Sequence, residues 1–211
     1  AKNLPESLEN FVKNIKSFNE NNQLNFYPGS PKIARSFLRV DDKLLLFELH
    51  PSDCKLLIEN FKGKGRQTKI ELQDGFAGIK ACFPPQSKRA VVLIDPPYEL
   101  KDDYQRVVNC IADSLKRFAT GTYIIWYPLL QRPEPQQMIE DLLRLNAPNW
   151  LHVNMSIHAP SGDGYGMHGS GLFIVNPPYT LPKVLAETMS TLTQLLSLDE
   201  TANFQLTSQI N

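Results

Sequence analysis

Asp95, Pro96, Pro97 and Tyr98 are the residues of this chain best suited by type and spacing to chemistry. They follow Val91-Val92-Leu93-Ile94, a short β-branched and aliphatic run of the kind found in a strand covered on both faces. Proline has no N–H to give to a sheet, so the strand is expected to end at Asp95. Open α/β sheets bind ligands outside the carboxyl ends of their strands, which puts an acid, a stiff diproline and an aromatic ring on the wall of a crevice. An isolated Asp-Pro-Pro is also an ordinary turn, since both residue types favour turns. The neighbouring elements decide between the two.

Two further runs behave alike. Lys43-Leu44-Leu45-Leu46-Phe47-Glu48-Leu49 is an apolar strand ending near Glu48 and followed by His50-Pro51, and Thr68-Lys69-Ile70-Glu71-Leu72-Gln73 is a shorter alternating strand ending at Asp74-Gly75. Three successive strands thus each release a carboxylate at the carboxyl end, with helix-like segments between them. Such alternation predicts parallel strands joined by right-handed crossovers, with all three acids on one edge. Taken singly, each acid is a solvated strand end or a helix N-cap.

Asp-Pro-Pro-Tyr after a strand resembles motif IV of S-adenosylmethionine-dependent amino-methyltransferases, which methylate exocyclic amines of bases. The residue types suit that reaction. An adenine N6 amine is a poor nucleophile, because its lone pair is delocalised into the ring, and it gains positive charge as it attacks a sulfonium methyl. The resemblance implies that the Asp95 carboxylate and the Pro96 carbonyl accept hydrogen bonds from the NH2, stabilising that charge and aiming the lone pair. It also implies that Pro97 and Tyr98 contact the target base, Tyr98 with its π-face once the base has left its stack.

The match tightens when Phe26-Tyr27-Pro28-Gly29-Ser30-Pro31, Glu48-Leu49-His50-Pro51 and Asp74-Gly75-Phe76 are taken with Asp95-Pro96-Pro97-Tyr98. Together they are similar to the RlmJ-like family of bacterial 23S ribosomal RNA adenine-N6 methyltransferases, over nearly the whole chain and weakening after about Ser197. The implied fold is a Rossmann-like α/β methyltransferase sheet flanked by helices, with an antiparallel C-terminal hairpin. The implied cofactor is S-adenosylmethionine, with Glu48 on its ribose hydroxyls, Asp74 and the backbone of Gly75 at its adenine, and Ser30 and Asp95 also in contact. Without the resemblance, Ser30 reads as an N-cap with Pro31 opening a helix. The implied partner is ribosomal RNA with an adenine flipped into the site; a non-catalytic or DNA-directed role in the use of external DNA is the alternative.

One departure from the family pattern stands out. The family opens with a central strand and a Gly-rich loop that cradles the methionine part of the cofactor, whereas this chain starts at Ala1 with an amphipathic helix carrying Leu4, Leu8, Phe11, Val12, Ile15 and Phe18 on one face. The first strand and the Gly-rich loop are therefore expected to be missing from an N-terminally truncated chain. The sheet should then show a gap or an exposed edge between the Glu48 and Asp95 strands, with weakened cofactor binding.

Two decoys need sorting. Gly164-Tyr165-Gly166-Met167-His168-Gly169 fits a dinucleotide fingerprint, but it leads into Leu172-Phe173-Ile174-Val175, a strand where the fingerprint needs a helix, and so reads as a hairpin loop. Asn176-Pro177-Pro178-Tyr179 is a second motif IV variant, but it comes after the last predicted strand of the core, where it marks an exit turn.

The bulk properties fit one soluble domain over 1–211. The 211 residues are 42% hydrophobic and contain no apolar run of ~18 residues, so neither a membrane span nor a signal peptide is expected. Cys54, Cys82 and Cys110 match neither a zinc pattern nor a disulfide framework, which suits a reducing cytoplasm; no metal is expected. The 22 basic and 22 acidic side chains balance, an unusual state for an RNA-binding protein. Lys62, Lys64, Arg66 and Lys69 read as a solvated turn, His152, His158 and His168 as hairpin surface, and Asp199 to Asn211 as a loose polar tail. Oligomeric state is not legible. A long helix from Tyr104 to Phe118 precedes the strand Tyr123–Tyr127, with helices near 135–145 and 182–196 completing the scaffold.

Overall fold

The computed structural model describes residues 4–21, 23–63, 65 and 67–211. Where the sequence predicts one domain, the internal contacts divide the chain into two compact units, Ala1–Cys82 and Phe83–Asn211. The strands correspondingly form two sheets, one of two strands and one of five.

The first unit runs α1 (Glu6–Lys16), α2 (Ser30–Ser36), β1 (Leu44–Glu48), α3 (Pro51–Phe61), β2 (Thr68–Leu72) and α4 (Gly75–Cys82). β1 and β2 pair in parallel from Leu44↔Thr68 to Glu48↔Leu72, so their carboxyl ends coincide. Gly78 of α4 lies directly on the Phe47 ring and leaves no room for a Cβ, which brings α4 close against β1. The apolar face of α1 is only partly covered: Ile15 is buried, but Phe11 and Val12 remain exposed. After α1, Asn19 organises the approach to α2, its side chain accepting from the N–H groups of Asn25 and Phe26 and donating to the Phe26 carbonyl at 2.7 Å.

The second unit runs β3 (Val91–Ile94), α5 (Lys101–Arg117), β4 (Thr122–Leu129), α6 (Glu134–Arg144), β5 (Trp150–Ser156), β6 (Gly169–Val175), α7 (Leu181–Leu196) and β7 (Asn203–Gln209). Its sheet has the order β3-β4-β6-β5-β7. β3 and β4 are parallel, and the remaining pairings are antiparallel. α5 forms because Tyr104, Val107, Val108 and Ile111 recur at helical spacing on one stripe, and all four are buried. With Tyr123 and Ile125 of β4 they make the centre of this unit, where truncating Ile111 to Ala would cost roughly 2–5 kcal/mol. A second cluster, Leu151, Val153, Ile174 and Met189, lies between the sheet and α7 and is extended by Phe204 and Leu206.

The expected loose tail is corrected by β7, which pairs with β5 along its whole length from Trp150↔Gln209 to Ser156↔Asn203. Backbone ladder bonds do not require apolar side chains, and the two apolar residues present, Phe204 and Leu206, sit two apart and share one face. The Asp199 carboxylate fixes the turn before it, accepting from the N–H of Ala159 at 2.9 Å and of Thr201 at 2.8 Å. No helix among the described residues is long and apolar enough to cross a membrane.

Candidate functional site

β3 ends at the buried Ile94, as the diproline requires, and its register Ile94↔Ile125 puts the 95–98 loop at the end of the sheet toward which β4 also runs. Asp95 is exposed and Pro96 half-buried. Neither the Asp95 carboxylate nor the Pro96 carbonyl has a hydrogen-bond partner among the described residues. Although part of Asp95 reaches solvent, desolvation by the surrounding protein raises its pKa above the ordinary carboxylate value. Two acceptors are thus presented side by side without an internal donor. Pro97 is exposed beside them.

Tyr98 departs from expectation. Its ring is 3% exposed and offers no face to a base in this structure. The phenol donates to the Trp126 carbonyl at 2.6 Å, and the ring lies 4.6 Å from that of Tyr104, centroid to centroid. Burial drives the phenol pKa far upward, so it stays a neutral donor. An aromatic body with a polar tip is well suited to such an anchor, because the ring fills apolar space while the hydroxyl finds a buried acceptor.

Sequence reasoning missed Arg132. Its Nη2 donates to the Tyr98 carbonyl at 2.7 Å and to the Tyr104 hydroxyl at 2.9 Å, and its guanidinium stands 5.3 Å from the Tyr104 ring centroid. The available signal was its place just beyond β4, the strand beside β3.

In the first unit, Glu48 and Asp74 come to one edge, the shared carboxyl end of β1 and β2. Glu48 Oε1 accepts from the His50 N–H at 2.8 Å. Asp74 Oδ1 accepts from the Phe76 N–H at 2.9 Å, and the Asp74 carbonyl accepts from Gly78 at the same distance, so this acid caps α4. Gly75 is exposed at the first position of that helix. Ser30 is exposed too, but the cap of α2 is Gly29 and the Ser30 hydroxyl makes no capping bond, one position from expectation. The adjacent Pro31 lines a cleft of about 460 Å³ together with Glu48, Asp53 and Asn60.

The second motif copy has a different use. Asn176 follows β6 at the opposite end of the sheet, where its side-chain amide donates to the carbonyls of Ala119 and Gly121, both at 2.8 Å. The glycine-rich segment leads into β6, as a hairpin loop should. His152 is not at the surface: it is half-buried on β5, within 2.6 Å of the Tyr127 hydroxyl, and desolvation lowers its pKa. Of the basic cluster, Lys64 and Arg66 lie outside the described residues, whereas Lys69 pairs with Glu71. Among the described residues no group of His, Cys, Asp and Glu is arranged to hold a metal.

Residues 1–207 match the family model described as "Ribosomal RNA large subunit methyltransferase D, RlmJ". The chain belongs to this RlmJ family. It is 47% identical over 178 residues to the ribosomal RNA large subunit methyltransferase J of Escherichia coli (strain K12), an overlap covering 84% of this chain and 63% of that protein. The namesake from Haemophilus influenzae (strain ATCC 51907 / DSM 11121 / KW20 / Rd) is 42% identical over 202 residues, or 95% of this chain and 71% of the relative. The RlmJ-family chain thus spans 63% and 71% of the length of these two curated relatives. The crystal structure of protein LPL1258 from Legionella pneumophila str. Philadelphia 1 superposes with a TM-score of 0.90 at 30% identity, covering 99% of this chain and 76% of that one. The mixed α/β architecture described above is therefore one that an RlmJ-family chain shares with a solved structure.

Proposed function

We propose that this RlmJ-family protein methylates the N6 amine of an adenine in 23S ribosomal RNA, with S-adenosylmethionine as donor. The observation that carries the proposal is the pair of unpartnered acceptors, Asp95 and the Pro96 carbonyl, at the end of β3. An amine with two N–H groups is the complement of two such acceptors. As the nitrogen gains positive charge, the Asp95 carboxylate stabilises it and the Pro96 carbonyl fixes the direction of the second N–H. The desolvation that raises the Asp95 pKa also leaves the carboxylate poorly hydrated, which favours its use as an acceptor for the amine. Pro97 borders the base, and Tyr98 serves by anchoring the loop from inside the fold.

The residues of the first unit fit the proposed cofactor by the chemistry of their side chains. Glu48 and Asp74 share one edge beside exposed Gly75, and carboxylates suit ribose hydroxyls and an adenine amine. S-adenosylmethionine, when bound, supplies an electrophilic methyl group on sulfur. Ser30 lies next to the Pro31 wall of the Glu48 cleft and is assigned to the same ligand. The names of the curated relatives specify large-subunit ribosomal RNA, which supports RNA over the DNA-directed alternative and a cytoplasmic place of work.

The test uses the intact protein, methyl-labelled donor and 23S RNA lacking the modification, with nucleosides of the digested RNA resolved by mass spectrometry. Label in N6-methyladenosine is the expected result. Label confined to cytidine or guanosine, or no transfer, would overturn the assignment.

A further inference from the structure

We infer that Arg132 is a positioning residue for the proposed reaction: its guanidinium grips the backbone of the 95–98 loop and thereby aims the Asp95 carboxylate and the Pro96 carbonyl at the amine. The inference rests on the assignment of Asp95 made above and adds to it a residue from a different element.

Tyr98 has φ +53°, a left-handed backbone conformation that a bulky side chain rarely adopts. Such a conformation persists only where the surroundings over-determine it. Two ties do so here. The phenol-to-Trp126 bond holds the far end of the side chain, and the bond from Arg132 Nη2 to the Tyr98 carbonyl holds the main chain. The second tie lies close along the chain to the two proposed acceptors, so it controls their direction, whereas the first controls only the ring.

Arg132 is itself constrained. The same Nη2 donates to the Tyr104 hydroxyl, the guanidinium plane lies over the Tyr104 ring, and Nε is buried without a partner. A buried donor left unpaired is unfavourable, so this placement is not what an arginine free to reach solvent would adopt. Arg132 and Asp95 form no ion pair. Arg132 therefore orients the loop without occupying the acceptor. Lysine would keep a charge and a donating nitrogen but not the longer reach or the planar guanidinium that lies over the Tyr104 ring.

The experiment compares Arg132→Ala, Arg132→Lys and Asp95→Ala with wild type in the intact protein, measuring single-turnover methyl transfer to unmodified 23S RNA, KM for RNA and for donor, and melting midpoint. Arg132→Ala should lower the rate constant about 10- to 100-fold, the scale of a small misplacement of reacting groups, while both KM values stay within about twofold. Low millimolar guanidinium should restore much of the rate to Arg132→Ala and none to Asp95→Ala, and Arg132→Lys should remain slow. A melting midpoint that falls while the rate constant of the folded fraction is normal, or a loss that guanidinium does not relieve, would overturn the positioning role. If Arg132→Ala does not fold, Tyr104→Phe removes the hydroxyl that steers the guanidinium; a lowered rate constant at unchanged KM supports the role, and a wild-type rate overturns it. Full activity in Asp95→Ala would instead remove the assignment on which the inference stands, so the two failures are separable.

Discussion

Asp95-Pro96-Pro97-Tyr98 and Asn176-Pro177-Pro178-Tyr179 are nearly the same tetrapeptide, each released by an apolar strand of the same sheet, yet they differ at both ends. In the first, the polar side chain is unpartnered and the tyrosine is buried; in the second, the asparagine amide is occupied by two carbonyls and the tyrosine is 83% exposed. The left-handed residue differs as well: Tyr98 at φ +53° in one loop, Asn176 at +52° in the other. Asparagine adopts that conformation far more readily than tyrosine, so the first loop depends more heavily on ties that hold its backbone in shape. A motif therefore reads as functional when its chemistry is left available and its geometry is held from outside. The second loop is tied to neighbouring segments through its own asparagine, whose amide is spent on the Ala119 and Gly121 carbonyls.

The largest contrast in stability should come from the two tyrosines. Tyr98→Ala empties a buried site and breaks the bond to Trp126, which should cost roughly 3–5 kcal/mol in denaturant unfolding, whereas Tyr179→Ala should change stability by no more than about 0.5 kcal/mol. Equal effects would mean that the two loops are anchored alike.

A smaller effect should appear in the pH dependence. The raised pKa of Asp95 belongs to an acid whose neutral form the site favours, so protonation begins at a higher pH than for an ordinary carboxylate. Since the proposed role requires the ionised acceptor, the rate of methyl transfer should fall as pH drops through that raised value. The acid limb should disappear from the residual activity of Asp95→Asn while Asn176→Asp leaves it unmoved. An unchanged limb in Asp95→Asn would assign it to another group.

Much of this was legible in the residues. β1, β2 and β3 announce themselves by apolar runs that end at acids or prolines, and α5 by a stripe of residues at helical spacing, because periodicity directly encodes which face is covered. β7 was not legible: its sequence is polar, and it is ordered by ladder bonds to β5 that no local pattern records. The burial of His152 and Tyr98 escaped for a related reason, since each depends on partners 25 or 28 residues away, the hydroxyl of Tyr127 and the carbonyl of Trp126. Arg132 carries no motif of its own, and only the three-dimensional register of β3 with β4 explains its contact with the loop. Glu48 and Asp74 lie at the shared carboxyl end of β1 and β2, whereas β3, which precedes Asp95, belongs to the other sheet; the backbone bonds of the two acids, capping of α4 among them, are details of geometry that type and spacing do not give.

The most direct test is the single-turnover rate of methyl transfer to unmodified 23S RNA by Asp95→Ala and Asn176→Ala variants of the intact protein, each measured below its melting midpoint. Loss of one positioned electrostatic partner predicts a fall of about 100- to 1,000-fold for Asp95→Ala and a wild-type rate for Asn176→Ala. Comparable rates in the two variants, or a greater loss in Asn176→Ala, would contradict the assignment of the reacting loop to the end of β3.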